Sequence, residues 1–175
     1  ATGRGQFDGP LDRRRVAGNH GLFGGIQVGG RDHLALRRLP ARWDFVLVDC
    51  PPGLGLLTVS ALAAVTEVLV PVEAHVLALA GLAALVATVE TVRARLNPPL
   101  HVSAIVACRV NARTRLAAEV VESLRARFGP RVLAAVVRET VRLAEAPSHA
   151  QPITRYDPHG HGADDYRAVA LEFLK

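Results

Sequence analysis

The chain has 175 residues, half of them hydrophobic, and a formal net charge of +5. Its length and hydrophobic content are enough for one domain with a substantial core. Its only lysine is Lys175, so a phosphate-binding loop of the G-x-x-x-x-G-K-[ST] kind is excluded from this sequence. Cys50 and Cys108 lie far apart without C-x-x-C spacing. That excludes a cysteine-based zinc site and a disulfide framework, and it is typical of a reducing cytosol.

Arginine is concentrated in two parts of the chain. Residues 1–42 carry eight arginines against three aspartates, and residues 104–155 carry nine arginines against four glutamates. A patch with such an excess of positive charge attracts phosphate backbones. A solvated, arginine-rich helix face gives the same count, so both interpretations of the second region are open at this point.

The first 42 residues differ in composition from the rest. They hold nine of the fifteen glycines and few apolar residues before Leu34, which predicts an irregular, Arg/Gly-rich N-terminal region. Within it, Arg31–Leu39 is predicted to form a short helix that Pro40 ends. We therefore expect a domain boundary near residue 42 and a regular domain over residues 43–175.

From residue 43 onward, apolar runs typical of buried strands alternate with segments of helical length. This alternation predicts an α/β fold with a parallel sheet and helices on both faces. The predicted strands are Phe45–Asp49, Val68–Val72, Val102–Ala107 and Val132–Val137. The predicted helices are Leu56–Val65, Leu77–Leu96, Leu116–Phe128 and Ala163–Leu174, and residues 140–156 are predicted to be irregular. Within the second helix, the apolar stretch Val76–Val89 is too short to span a bilayer, which predicts a buried helix and no stable membrane insertion.

The first predicted strand ends in a single acid, Asp49, which is followed by a cysteine, two prolines and a glycine. Open α/β sheets bind their ligands at the carboxyl ends of their strands, where an acid often holds Mg²⁺ on a nucleotide. The alternative is a strand that simply ends in a capping aspartate. The local pattern leaves these two interpretations of Asp49 even.

Five motifs follow one another along residues 43–174. They are W-D-F-V-L-V-D-C-P-P-G-L-G-L-L-T, V-L-V-P-V-E with A-L-A-G-L, N-A-R-T-R-L, V-R-L-A-E-A-P-S-H, and P-I followed by Y-D-P. In this order they resemble the motifs of ParA/Soj-type chromosome and plasmid partition ATPases. The first is similar to that family's Walker B and switch II region, and the fourth resembles its C-terminal signature.

The resemblance implies a P-loop NTPase-like protein that dimerises around ATP and Mg²⁺ and binds DNA non-specifically. It also implies release of the DNA after hydrolysis stimulated by a ParB-type partner, and a cytoplasmic, nucleoid-associated location. Asp49 matches the Walker B acid, which makes it the expected catalytic and Mg²⁺-holding residue. Pro51 and Gly53 fall in the matching switch II, a loop that responds to the γ-phosphate.

Four further positions take an expected role from the same resemblance. Thr140 and Pro147 fall in the segment that lines the adenine side of the nucleotide. Arg113 and Arg142 match basic residues implicated in DNA contact. Such contacts are made to phosphates, so they are independent of sequence and sensitive to salt.

The sequence also departs from the family pattern. The phosphate loop K-G-G-x-G-K-T, the first strand and the helix after the loop are absent, and Arg138-Glu139-Thr140 stands where the family has Pro-Arg-Asn or Pro-Arg-Thr. In that fold the missing strand lies centrally, beside the strand that ends in Asp49. Two functions follow: a partition protein present as its C-terminal part and ATPase-deficient as it stands, or a non-enzymatic DNA-binding and dimerisation module derived from such an ATPase.

Overall fold

The structure is a computed structural model that describes residues 44–50 and 53–175. The chain divides into two compact units, one that ends at Ala64 and one formed by Val65–Lys175. The predicted helix Arg31–Leu39 and the predicted irregular region 1–42 lie outside the described residues. The predicted domain boundary near residue 42 stays a prediction for the same reason.

In the first unit, the described residues form one helix, α1, which spans Leu56–Ala64 and confirms the prediction of a helix over Leu56–Val65. The predicted strand Phe45–Asp49 is wrong, because these residues form no strand in the structure, and Phe45 and Leu47 are 60% and 87% exposed. A strand needs a neighbour to take its backbone hydrogen bonds, and no described residue of this unit provides one.

The second unit contains the remaining elements. Its strands are β1 (Glu67–Glu73) and β2 (His101–Cys108), and its helices are α2 (Val76–Arg95), α3 (Arg115–Phe128), α4 (Val141–Glu145), α5 (Ile153–Tyr156) and α6 (His161–Phe173). Short 3₁₀ turns lie at Gly129–Arg131 and Ala146–His149. The predicted strands at 68–72 and 102–107 and the three predicted helices of this unit are confirmed. The segment 140–156, predicted to be irregular, contains α4, α5 and one of the 3₁₀ turns.

The strands β1 and β2 pair in parallel, from Glu67 opposite His101 to Glu73 opposite Cys108. Such a pairing requires a crossover connection, and α2 supplies it and contacts both strands. On one face of β2, Ala104 and Val106 pack in a core cluster with Val169 of α6. The alternate residues of β2, Ile105 and Ala107, are also fully buried, so both faces of this strand are covered and the predicted α/β fold is confirmed.

The predicted strand Val132–Val137 is wrong as a continuous strand. Only its two ends pair with the chain around β2, through isolated parallel bridges between Ile105 and Val132 and between Val110 and Arg138. Between them, the amides of Ala134 and Ala135 donate to the carboxylate of Glu172 at 2.7 and 2.8 Å. A side chain of α6 therefore takes the place of a strand ladder in the middle of this segment.

The helix α2 is apolar along most of its length and yet largely exposed. It buries Leu82, Val89 and Val92, while Leu77 is 77% exposed, so the prediction of a buried helix is wrong for most of its surface. The reason is that a two-stranded sheet covers only one narrow face of a helix. Among the described residues, α2 alone is long and apolar enough to cross a membrane, with a mean hydropathy of 1.6, a composition that core helices also reach.

The helix α3 is amphipathic and has a defined cap at each end. Its buried residues, Ala117, Val120, Val121, Leu124 and Phe128, recur at the spacing of one helix face. The Thr114 hydroxyl accepts a hydrogen bond from the amide of Ala117 at its start. At its end Gly129 has φ 61° and ψ −134°, a backbone conformation that is almost exclusive to glycine.

Replacing Gly129 with alanine is expected to lower the free energy of unfolding by about 1–2 kcal/mol, the usual cost of a strained backbone position. No atom lies within 4 Å of the Cβ that alanine would add, so the loss comes from the backbone alone. Urea unfolding followed by circular dichroism measures it.

Gly81→Ala is the matched control, because Gly81 lies inside α2 with no atom within 4 Å of an added Cβ and no positive φ. Alanine there is expected to raise stability by up to about 1 kcal/mol, since glycine is a poor helix former. Equal effects of the two substitutions would contradict the argument.

Candidate functional site

The predicted nucleotide-side residues of the first unit lie just before α1. Asp49 is exposed, and the pKa of the neighbouring Cys50 thiol is raised by burial and, to a smaller extent, by the negative charge of Asp49. Gly53 has a φ of 115°, which requires glycine, and its carbonyl accepts a 2.7 Å hydrogen bond from the Thr58 hydroxyl. Pro51 lies outside the described residues.

A nucleotide with Mg²⁺ needs more than these residues provide. Mg²⁺ is usually held by one or two carboxylates together with the phosphates of its nucleotide, and Asp49 is a suitable carboxylate. Within residues 44–50 and 53–175, however, no three acidic, histidine or cysteine side chains form a group that could hold a metal ion. The only lysine of the chain is its last residue. The described residues therefore do not fit a complete nucleotide site.

In the second unit, Thr140 and Pro147 lie in the segment that follows the Val110–Arg138 bridge. The Thr140 hydroxyl accepts a hydrogen bond from the amide of Leu143 at 3.2 Å, so Thr140 is the N-cap of α4. Pro147 is exposed in the first turn of the 3₁₀ segment Ala146–His149, where its fixed φ suits a helix start. Both residues shape the backbone at this point.

Arg113 is exposed in the loop between β2 and α3. Its amide donates to the Asn111 side chain at 3.0 Å, and the Thr114 hydroxyl donates to the Asn111 carbonyl at 3.1 Å. The loop backbone is thus fixed locally. Among the described residues, no carboxylate forms an ion pair with the Arg113 guanidinium, which leaves it available to an anionic ligand.

Arg142 lies in α4, and its guanidinium is held by its neighbours. It pairs with Glu145 at 3.1 Å and lies 6.0 Å from the centre of the Tyr156 ring. The Tyr156 hydroxyl donates to the same Glu145 carboxylate at 3.0 Å, and the ring stacks on His149. Hydrogen bonding to Tyr156 and Glu145 raises the pKa of Arg142, so it is a permanent cation with a defined orientation.

One pair of backbone contacts brings the two arginine-bearing segments together. Val110 and Arg138 form a parallel bridge, in which the Val110 amide donates to Val137 at 3.1 Å and the Glu139 amide donates to Val110 at 3.2 Å. Arg113 follows one side of this bridge by three residues, and Arg142 follows the other by four. Both segments therefore leave the sheet at the same edge, the carboxyl edge where parallel sheets bind their ligands.

Two ion-pair clusters beside this edge were not predicted from the sequence. In the first, Arg138 binds the buried carboxylate of Asp165 on α6, with its closest approach at 2.6 Å. In the second, Arg109 pairs with both Glu73 and Glu139. The first cluster had a signal in the sequence, because Asp165 falls on the face of α6 that carries the buried Gly162 and Val169. The second cluster joins exposed residues that are distant in sequence, and no signal in the sequence predicted it.

The chain is similar in sequence to a known domain family and to known proteins. Residues 31–102 match the AAA domain family AAA_31. Over 81% of its length the chain is 41% identical to the chromosome partitioning protein ParA of Myxococcus xanthus, of which it covers 50%. Over 75% of its length it is 47% identical to the chromosome-partitioning ATPase Soj of Thermus thermophilus, of which it covers 53%.

Among solved structures, the chain is similar to cobyrinic acid a,c-diamide synthase from Mycobacterium smegmatis with bound ADP and magnesium. The TM-score is 0.64 at 28% identity, over 81% of this chain and 51% of that chain. Together with the parallel sheet and its crossover helix, this similarity defines the class of the protein as an α/β fold of the P-loop NTPase type.

Within that class, the chain is similar to ParA/Soj-type proteins over most of its own length, in agreement with the motifs of its sequence. It spans about half the length of the curated relatives that it matches.

Proposed function

We propose that this chain is the DNA-binding, C-terminal part of a ParA/Soj-type partition protein, which holds duplex DNA through phosphate contacts of Arg113 and Arg142. The observation that carries the proposal is the Val110–Arg138 bridge, because it brings the two arginine-bearing segments to one edge of the sheet. The named relatives, a chromosome partitioning protein and a chromosome-partitioning ATPase, support the same function.

The charge of this region supports the same interpretation. Residues 104–155 carry nine arginines against four glutamates, and an excess of this sign attracts the phosphates of nucleic acids. Contacts of this kind are independent of base sequence and weaken as salt rises. Non-specific binding to DNA is therefore the function that the described residues serve best.

The rest of the partition activity is proposed for the longer protein of this family. Its nucleotide is ATP with Mg²⁺, with Asp49 at the metal, Pro51 and Gly53 in the loop that responds to the γ-phosphate, and Thr140 and Pro147 on the adenine side. Its partners are non-specific DNA, a second copy of the chain and a ParB-type protein, and it acts at the nucleoid in the cytoplasm without membrane insertion. The similar synthase from Mycobacterium smegmatis has ADP and magnesium bound in its solved structure.

A second candidate is a non-enzymatic module that keeps DNA binding and dimerisation without turnover of ATP. The lack of any lysine before Lys175 favours it, because lysine, backbone amides and Mg²⁺ together provide most of the catalysis of phosphoryl transfer. The coding DNA immediately upstream of Ala1 separates the two. An in-frame K-G-G-x-G-K-T there identifies the partition ATPase, whereas a start codon at this point identifies the module.

The 175-residue chain is expected to show no saturable binding of ATP in isothermal titration calorimetry with millimolar nucleotide and Mg²⁺. The reason is that the chain carries no lysine-bearing phosphate loop. A full-length relative that carries K-G-G-x-G-K-T is the positive control. A saturable, Mg²⁺-dependent heat from the 175-residue chain would show that its phosphates are held in another way.

A further inference from the structure

Arg109 ties three segments of the second unit together at the carboxyl edge of the sheet. It directly follows β2, and its guanidinium lies 2.9 Å from Glu73 at the end of β1 and 3.1 Å from Glu139. We call these three residues the Arg109 clamp. A single exposed ion pair contributes little to stability. Here, however, one planar guanidinium joins two carboxylates from different segments, which a single ion pair does not do.

The backbone of Arg109 is fixed in an uncommon conformation. Its φ is 52°, in the left-handed region that side-chain-bearing residues rarely adopt. Such a conformation persists where the surroundings determine it. Hydrogen bonds hold the chain on both sides, from the Ala74 amide to the Cys108 carbonyl at 3.0 Å and from the Val110 amide to the Val137 carbonyl at 3.1 Å.

The two segments that carry Arg113 and Arg142 both start beside this clamp. On one side Val110 leads to Asn111, whose side chain accepts the amide of Arg113. On the other side Glu139 precedes Thr140, the N-cap of α4, in which Arg142 lies. Because Arg109 is adjacent to Val110 and paired with Glu139, a movement of the clamp changes the placement of both segments.

We propose that Arg109 is a positioning residue for DNA binding, which fixes Arg113 and Arg142 relative to one another through its ion pairs with Glu73 and Glu139. This inference rests on the proposed function. Arg109 does not itself serve as a phosphate ligand in this arrangement, because each of its two terminal nitrogens is paired with a carboxylate. One guanidinium against two carboxylates gives the clamp a net charge of −1, which repels phosphate.

The test measures the affinity of the 175-residue chain for a fluorescein-labelled duplex of random sequence, by fluorescence anisotropy at low salt. In the variant Glu73→Gln with Glu139→Gln, the loss of two negative charges alone would tighten binding. If Arg109 acts by positioning, binding weakens instead, by roughly two- to fivefold, the range that exposed ion pairs support. The sign of the change therefore decides between the two roles.

Arg109→Lys is the second variant, and it keeps the net charge. A lysine ammonium does not reproduce the planar fork that joins two carboxylates, so binding weakens here as well. The matched control is Glu119→Gln with Glu122→Gln on α3, which removes two carboxylates and leaves the clamp intact. Its binding is unchanged or tighter. Thermal unfolding of each variant shows whether it is folded. If the double glutamine variant is unfolded, the Arg109→Lys variant alone tests the inference.

If the wild-type chain binds DNA, two outcomes overturn the inference and leave the proposed function standing. One is unchanged or tighter binding by Glu73→Gln with Glu139→Gln, and the other is wild-type affinity in Arg109→Lys. A wild-type chain that binds no DNA at any salt concentration overturns the proposed function itself, and the inference with it.

Discussion

Replacing Asp165 with alanine is expected to lower the free energy of unfolding by about 1.5–3 kcal/mol, the range for hydrogen bonds that involve a charged group. Asp165 is 7% exposed, and its carboxylate accepts from both the amide and the guanidinium of Arg138. Its removal leaves the Arg138 amide without this acceptor and releases the segment that bridges to Val110. Urea unfolding of the wild type and the variant at pH 7 measures the loss.

Asp164→Ala is the matched control, because Asp164 is the adjacent residue on α6 and pairs with Arg167 at 3.1 Å on the surface. An exposed pair one helical turn apart contributes little, so its removal is expected to have a much smaller effect. Equal losses from Asp164→Ala and Asp165→Ala would show that the buried pair adds no stability of its own.

The same pair predicts how stability depends on pH. Burial alone raises the pKa of Asp165, but the hydrogen bonds from Arg138 outweigh it and lower the pKa overall. The pKa of Glu172 is lowered by the amides of Ala134 and Ala135. A lowered pKa in the folded state gives stability that is fully present above the unfolded value, about pH 4, and is lost as the pH falls through the folded value. The Asp165→Asn variant is expected to lose less stability on acidification than the wild type does.

Removing both proposed DNA contacts, by Arg113→Ala with Arg142→Ala, is expected to weaken binding to random duplex DNA by about tenfold at low salt. Each lost phosphate contact also reduces the slope of log affinity against log salt by about one, so the double variant is expected to lose about two from that slope. Anisotropy titrations at four or more salt concentrations give both quantities.

A second pair of arginines controls for net charge. Arg93 and Arg95 lie in the last turn of α2, and Arg93→Ala with Arg95→Ala removes the same two charges. We expect this variant to keep most of the salt slope of the wild type. If both double variants weaken binding equally, the chain responds to total charge and no DNA-binding edge exists. If neither does, binding belongs to the arginine-rich residues 1–42.

The sequence predicted those elements whose signals are local. The helix α3 repeats apolar residues on one face, and β2 is mostly apolar, so both were predicted within two residues of their observed ends. The strand predicted at Phe45–Asp49 carries an equally apolar run. It fails because a strand also depends on a neighbour that its own residues do not specify.

The residues of the candidate site also differ in whether a local signal in the sequence reveals them. Arg113 and Arg142 were predicted because each lies in a short motif that resembles the family. The Arg109 clamp was not, since Arg109 and Glu139 are 30 residues apart and an exposed arginine near an exposed glutamate gives no pattern in a sequence. The DNA contacts of Arg113 and Arg142 stay predictions. So do the roles in nucleotide binding of Asp49, Pro51, Gly53, Thr140 and Pro147.

The contact between Glu172 and the amides of Ala134 and Ala135 sets an order of events during synthesis. Glu172 is made 37 residues after Ala135, so these amides are made before their acceptor exists. Until then these two amides have only water as a partner, whereas the amides of Leu133 and Val137 on either side pair with Ile105 and Ala107 of β2. The middle of the segment Val132–Val137 therefore reaches its final hydrogen bonding only once α6 has been made.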